Sequence, residues 1–98
     1  MICVIADLTL HPGTGGEFFA AARRMIDATR AEEGCIRYDL MQDIDNPARV
    51  TFVEEWQSRE ALAAHFEAAH MTEWRAASSP HLAARAVKIL HVGEVETV

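Results

Sequence analysis

The sequence lacks a long hydrophobic run, and it contains only two cysteines in 98 residues. No segment approaches the roughly 20 apolar residues that a membrane-spanning helix needs. Residues 1–7 carry none of the positive charge that opens a signal peptide. Cys3 and Cys35 stand in neither a CxxC nor a metal-ligand spacing, and such isolated thiols suit a reducing compartment. These features predict a cytoplasmic protein with no membrane partner.

Basic residues are also scarce, because 9 lysines and arginines stand against 15 acidic residues and leave a formal net charge of −6. A chain without a basic cluster is poorly suited to bind a phosphate backbone, so nucleic acid is not expected as a partner. Gly13, Gly15 and Gly16 follow a predicted strand, but they form neither a P-loop nor a GxGxxG motif. A glycine-rich phosphate-binding loop is therefore not predicted.

Apolar residues, in contrast, are abundant and make up half of the chain. A chain of 98 residues is expected to form one domain, here 1–98. A domain of this size buries roughly 65% of its unfolded surface. Apolar surface beyond the needs of such a core favours a contact between subunits. We therefore expect a single domain that forms a homodimer.

Hydrophobic periodicity and turn signals divide the chain into four strands and two helical regions. The predicted strands cover 2–10, 35–42, 49–56 and 86–95, and the predicted helical segments cover 15–32, 59–69 and 71–77. The order βαββαβ predicts an α+β fold of the ferredoxin-like type, with a four-stranded antiparallel sheet and helices on one face. Right-handed crossovers favour the strand order 4-1-3-2.

Capping signals set the predicted ends of the helices. Thr14 and Glu17 have the spacing of a capping box, so Thr14 is expected to cap the first helix. Gly34 supplies the stop signal of that helix. Ser58 is a suitable N-cap for the second helix.

One face of the predicted sheet has no helix to cover it. Strand alternation places Cys3, Ile5, Cys35 and Met41 on this face, among charged and polar residues. Such a mixture is too apolar for a solvated surface and too polar for a core. We therefore expect a second subunit to stack on this face.

Three short motifs resemble those of a known family. Residues 32–38 read EEGCIRY, residues 54–56 read EEW, and residues 65–71 read HFEAAHM. In this order, with His65 nine residues after Trp56, the motifs resemble the antibiotic biosynthesis monooxygenase family. The resemblance covers nearly the whole chain, and it implies a dimeric ferredoxin-like fold, described as a dimeric α/β barrel.

The resemblance also implies an enzyme, although the family contains more than one activity. Its members include cofactor-free oxygenases of quinols and polycyclic phenols, haem-degrading enzymes, and an isomerase of a phosphorylated autoinducer. The haem-degrading members carry an asparagine and a tryptophan where this chain has Ala6 and His65, so haem degradation is not expected. We predict a cofactor-independent monooxygenase that uses molecular oxygen on a small quinol or a phenolic or polycyclic aromatic substrate.

The candidate site residues lie on the second helical region and on two strands. His65 falls on the apolar stripe of its helix and suits a general base, since its ordinary pKa of about 6.5 lies near working pH. Tyr38 shares a strand face with apolar residues, and its hydroxyl suits a substrate oxygen. A plain core role stays open for each of these side chains. The candidate substrate-binding residues are His70, Phe52, Trp56, Phe66, Met71 and Trp74.

Two other functions stay open. The first is an isomerase or tautomerase of a small phosphorylated or oxygen-rich metabolite, and a basic pocket residue such as Arg37 or Arg85 would favour it. The second is a non-catalytic dimeric module that binds a ligand. No metal is expected, because the chain has neither an HExxH motif nor a Cys/His cluster and because His65 and His70 would lie about 500° apart on a regular helix. The resemblance to cofactor-free members implies that no other cofactor is needed.

Overall fold

The computed structural model describes residues 1–98, and its elements follow the predicted order βαββαβ. The elements are β1 (Ile2–Leu10), α1 (Gly16–Arg30), β2 (Cys35–Gln42), β3 (Arg49–Trp56), α2 (Arg59–Glu67), α3 (Ala69–Ser78), a 3₁₀ turn (Ser79–His81) and β4 (Leu82–His91). The sheet is antiparallel throughout, with the strand order β2-β3-β1-β4. The predicted ferredoxin-like α+β fold and its strand order are confirmed.

The core lies between one face of the sheet and the helices. In β1 every second residue from Ile2 to Leu10 is buried, as strand alternation predicts. Helix α1 adds Phe18, Ala22 and Met25, whose spacing of three and four residues aligns them on one stripe. Full burial of a large apolar side chain stabilises a fold by roughly 1.5–3 kcal/mol. The opposite face of the sheet carries no helix.

A bulge at the start of β2 changes which residues face the core. Cys35 pairs with Trp56, whereas Arg37 pairs with the next residue, Glu55, so β2 carries one extra residue at this point. Cys35 therefore packs against the core, and Ile36 is 53% exposed. Strict alternation predicts the reverse, and the expectation that Cys35 lies on the uncovered face is wrong.

The last strand begins earlier than predicted. It covers Leu82–His91 rather than 86–95, because its pairing with β1 starts opposite Leu10. Residues 83–86 read AARA and are weak strand formers by composition, but pairing with a central strand overrides that preference. Strand β4 forms one edge of the sheet, and its residues are exposed or half-buried along its whole length.

The start of α1 also differs from the prediction. The N–H groups of Phe18 and Phe19 donate to the carbonyl of Gly15, so the helix begins at Gly16 with Gly15 as its N-cap. No side chain caps this end. The predicted capping role of Thr14 is therefore wrong.

The predicted cap of α2 is confirmed. The hydroxyl oxygen of Ser58 accepts a hydrogen bond from the Ala61 N–H at 3.1 Å, which satisfies one of the free donors at the helix start. None of the three helices is long and apolar enough to cross a membrane.

Candidate active site

A break between α2 and α3 brings two histidines together. The structure places the break at Ala68, whose ψ of 144° is extended. Helix α3 therefore leaves in a new direction, and His70 in its first turn approaches His65 in the last turn of α2. The two ring centroids lie 6.1 Å apart. The separation of about 500° that a regular helix imposes does not apply here, so the expectation that His65 and His70 point in different directions is wrong.

Glu32 reaches both histidines from the turn between α1 and β2. In this turn the Glu32 N–H donates to the Thr29 carbonyl at 2.9 Å, and Gly34 has a φ of +86°. A Cβ at Gly34 would lie 2.6 Å from the Cβ of Ala61 on α2, which is closer than real side chains approach. Glycine at this position therefore lets the turn come close to α2, and this brings Glu32 to the histidines.

One carboxylate oxygen binds both rings. The Oε2 atom of Glu32 lies 2.6 Å from Nδ1 of His65 and 2.9 Å from Nε2 of His70. Because a carboxylate only accepts hydrogen bonds, both rings donate an N–H to it. His65 therefore carries its proton on Nδ1, and its Nε2 keeps a free lone pair.

The free nitrogen of His65 faces the hydroxyl of Tyr38. The distance from Nε2 to this oxygen is 3.5 Å, which is long for a hydrogen bond, and the hydroxyl is the donor. Burial lowers the pKa of His65 below its usual value, and the hydrogen bond with Glu32 offsets only part of this effect. Burial raises the pKa of Tyr38 well above its usual value. At neutral pH the site therefore holds a neutral base beside a hydroxyl that keeps its proton.

These groups border a cavity between the sheet and helices α2 and α3. Its volume of about 440 Å³ lies in the range of small-molecule sites. The buried titratable groups on its wall are Tyr38, Glu54 and His65. Most of the remaining wall is apolar, and four candidate substrate-binding residues belong to it: Phe52, Phe66, Met71 and Trp74.

Glu54 is a wall residue that lies outside the predicted site. It is 5% exposed, and its Oε1 accepts a hydrogen bond from Nε1 of Trp56 at 3.0 Å. It takes part in no salt bridge, and burial raises its pKa to about 7. Strand alternation was the available signal, because it places this carboxyl on the core face of β3, where charged residues are rare.

Two arginines line the exposed end of the cavity. Arg75 of α3 and Arg85 of β4 are both exposed wall residues, and neither forms a salt bridge. The guanidinium of Arg75 donates to the main-chain carbonyl of Phe66. Arg37 lies on the other face of the sheet, where it pairs with Asp39 at 2.6 Å. Of the two arginines considered from the sequence, only Arg85 therefore borders the cavity.

Two candidate substrate-binding residues lie outside this cavity. Trp56 is fully buried, packs against His65 with 4.7 Å between ring centroids and the rings tilted by 39°, and donates to Glu54. His70 binds Glu32 and faces a groove of about 650 Å³ between α1 and α3. Neither side chain lines the cavity: Trp56 contacts two of its wall residues directly, and His70 is linked to His65 only through Glu32.

The same cluster contains donor atoms of the kind that bind metal ions. Those of Glu32, His65 and His70 lie within 4.8 Å of one another, and two histidines with one carboxylate form a common site for divalent iron. The N···O distances of 2.6 and 2.9 Å, however, are those of hydrogen bonds. Without an ion, the three groups form a hydrogen-bonded network in which Nε2 of His65 faces the cavity.

Comparison with known proteins identifies the family. The family model described as antibiotic biosynthesis monooxygenase matches residues 1–77. The chain belongs to the antibiotic biosynthesis monooxygenase family. The resemblance inferred from the three motifs is thereby confirmed, and the names of the relatives agree with a monooxygenase.

Three relatives illustrate the extent of the similarity. The Mycobacterium tuberculosis protein named "Putative monooxygenase Rv0793" is 37% identical over 75 residues, which are 76% of this chain and 73% of the relative. Its solved structure has a TM-score of 0.88 at 31% identity and covers 98% of both chains. The Bacillus subtilis "Putative monooxygenase YcnE" is 31% identical over 70 residues, 71% of this chain and 74% of the relative. A solved "Putative antibiotic biosynthesis monooxygenase" from Nitrosomonas europaea has a TM-score of 0.90 at 27% identity and covers 96% of this chain and 100% of its own.

Proposed function

We propose that the protein is a cofactor-independent monooxygenase of a small quinol or phenol, with His65 as its general base. The observation that carries this proposal is the setting of His65. The ring is 1% exposed and its Nδ1 is bound to Glu32. Its Nε2 lies on the wall of the cavity, where its only polar contact is the long one of 3.5 Å with the Tyr38 hydroxyl. A base held in this way takes the proton of a substrate hydroxyl that approaches Nε2 at hydrogen-bond distance.

Deprotonation is the step that such a reaction requires. Dioxygen is a triplet and reacts slowly with closed-shell organic molecules, whereas the anion of a quinol or phenol is electron-rich enough to reduce it. The protein has to supply a base, an orientation and a cavity from which water is excluded. Here His65 supplies the base. When a substrate hydroxyl replaces the Tyr38 hydroxyl at Nε2, the single Tyr38 proton becomes available to hold a substrate oxygen.

The walls of the cavity suit a flat aromatic ring. Phe52 and Trp74 pack edge to face with their centroids 5.8 Å apart, and Phe66 and Met71 line the same space. Aromatic rings and the methionine thioether make favourable contacts with a ring that lies between them. A quinol or phenol therefore finds apolar contacts for its ring and polar contacts for its hydroxyl.

Oxygen uptake tests this proposal. The purified protein, dialysed against EDTA, is mixed with 1,4-naphthohydroquinone in an oxygen electrode, and autoxidation in protein-free buffer is subtracted. We expect uptake that depends on the protein and is unchanged by added flavin, haem or divalent metal. Uptake that appears only after one of these additions contradicts cofactor independence. The absence of uptake with this quinol and with a panel of phenols contradicts the monooxygenase itself.

A second candidate function is the isomerisation of a small phosphorylated or oxygen-rich metabolite. The observation that favours it is the presence of Arg75 and Arg85 at the exposed end of the cavity, because guanidinium groups bind phosphate and carboxylate well. In this reaction His65 would transfer a proton between two positions of the substrate.

Inorganic phosphate separates the two candidates. If the arginines hold a substrate phosphate, phosphate should raise the melting temperature of the wild type more than chloride does at equal ionic strength. The double variant Arg75→Gln/Arg85→Gln should then lose this difference, whereas the control Arg23→Gln should keep it. Equal melting temperatures in both salts contradict the isomerase. A variant His65→Gln that changes no measured rate would instead favour the non-catalytic module.

We also propose that the protein is a homodimer that packs through the uncovered face of the sheet. Cys3 and Ile5 are half-buried on this face in the single chain, and Met41 is 45% exposed. Ile5 pairs with Val53 of β3, which extends the apolar patch across the centre of the sheet. A second copy stacked on this patch would remove it from water.

A further inference from the structure

We propose that Glu54 is a second acid–base group of the cavity and completes the oxygenation that His65 begins. This role rests on the proposed monooxygenase function, because it concerns the steps that follow deprotonation of the substrate. The steps described above use two of the three buried titratable groups on the cavity wall and leave Glu54 without a function.

Strand pairing places Glu54 beside Tyr38. The two residues are direct partners in the β2–β3 register, and such partners lie on the same face with Cβ atoms about 4.5–5.5 Å apart. The Tyr38 hydroxyl is also the group that His65 contacts, at 3.5 Å. A substrate bound against this hydroxyl therefore lies within reach of both Glu54 and His65.

The surroundings of Glu54 suit a group that exchanges a proton. The indole N–H of Trp56 donates to its Oε1 at 3.0 Å and fixes the position of the carboxyl. No lysine or arginine pairs with it, and burial raises its pKa to about 7. A carboxyl that titrates near working pH both gives and takes a proton readily. Without a basic partner, the ionised form of this buried carboxyl is costly for the fold.

The reaction of a quinol with dioxygen begins when His65 takes the proton of one hydroxyl. The ring C–H carbon next to the carbon that bears this hydroxyl then bonds to dioxygen, so the ring is oxidised and dioxygen becomes a peroxide anion. Glu54 in its acid form protonates the terminal peroxide oxygen. The carboxylate formed removes the hydrogen from the same carbon, which becomes a carbonyl as the O–O bond breaks. The departing hydroxide takes the proton from His65 and leaves as water. One quinol and one dioxygen thus give one hydroxyquinone and one water, and both residues return to their starting states.

The variant Glu54→Gln tests this role in the full-length protein with 1,4-naphthohydroquinone. Its amide oxygen still accepts from Trp56, but it cannot transfer a proton. We expect hydroxynaphthoquinone formation to fall by about 10²-fold or more, with hydrogen peroxide and naphthoquinone released instead. We also expect the wild type to lose kcat above about pH 7, and the variant to lack this alkaline limb. A purely structural glutamate would change neither the product ratio nor the pH profile.

Two further variants make the result decisive. Glu55→Gln alters the neighbouring residue, which faces the other side of the sheet and pairs with Arg37, and it should behave as the wild type. Glu54→Asp keeps a carboxylic acid at the site, so its kcat should be lower but should still fall at alkaline pH. If the glutamine variant does not fold, loss of this alkaline limb in Glu54→Asp would contradict the role of Glu54. Equal products and pH profiles for wild type and Glu54→Gln overturn the role of Glu54 alone. Absence of oxygen uptake by the wild type overturns the proposed function together with this role.

Discussion

Replacing Glu54 by glutamine should stabilise the protein at pH 8 relative to the wild type, but not at pH 4. The carboxyl is 5% exposed, and burial raises its pKa from 4.5 to about 7. Each pKa unit corresponds to about 1.4 kcal/mol, so ionising this group in the folded protein costs roughly 3 kcal/mol. Glutamine is neutral at every pH and avoids this cost.

The sign of the effect follows from proton binding. The folded protein binds the proton of Glu54 more tightly than the unfolded chain, so the free energy of unfolding falls as pH rises from about 4.5 to about 7. The buried His65 has a lowered pKa and contributes with the opposite sign. Both proteins contain this histidine, so the difference between wild type and variant isolates Glu54.

Urea unfolding at a fixed protein concentration, followed by the fluorescence of the buried Trp56 and Trp74, measures this difference. Between pH 4 and pH 8 the free energy of unfolding of Glu54→Gln, minus that of the wild type, should rise by roughly 3 kcal/mol. The control Glu55→Gln should show a difference that hardly changes with pH. A pH-independent difference for Glu54→Gln would show that burial does not disfavour the charged form of this carboxyl.

Three other substitutions test separate parts of the structure. Glu32→Gln should lower kcat by roughly 10²-fold or more in the oxygen electrode, because the carboxylate no longer fixes the tautomer of His65; an unchanged kcat would contradict this. Gly34→Ala should lower the free energy of unfolding in urea by about 1–3 kcal/mol, since its φ is +86° and the added Cβ meets Ala61 at 2.6 Å; wild-type stability would contradict the close approach of the turn. Ile5→Glu should give monomers or insoluble protein, because a charge would be buried without a partner, and a stable dimer in light scattering would refute the proposed interface.

The strands that alternate clearly could be predicted from the sequence. The bounds predicted for β1, β2 and β3 agree with the structure, because most residues at every second position are apolar, Glu54 of β3 being an exception, and turn-forming or capping residues follow. Strand β4 was misplaced because its first residues, 83–86, show no such pattern and become a strand only by pairing with β1. The bulge at Cys35 has no local signal either, since it arises from the fit of β2 to β3.

Several residues of the candidate site could be predicted from the sequence, but the hydrogen bonds that join them could not. His65 and Tyr38 could be identified from their faces and from the family motifs, and the structure brings them together. The bond from Glu32 to both histidines depends on the break at Ala68. The sequence predicts separate helical segments over 59–69 and 71–77, but neither proline nor glycine lies near Ala68 to indicate the direction in which the second helix leaves.

The role of His65 as general base is tested most directly by the variant His65→Gln. Its turnover of 1,4-naphthohydroquinone per folded molecule and its melting temperature are both measured and compared with those of the wild type. Glutamine keeps some hydrogen bonding but cannot take the substrate proton. If His65 is the general base, kcat should fall by about 10²–10⁴-fold, the usual contribution of a positioned base, while the protein stays folded. A lowered melting temperature with unchanged turnover would show that His65 is a structural core residue and would contradict the account.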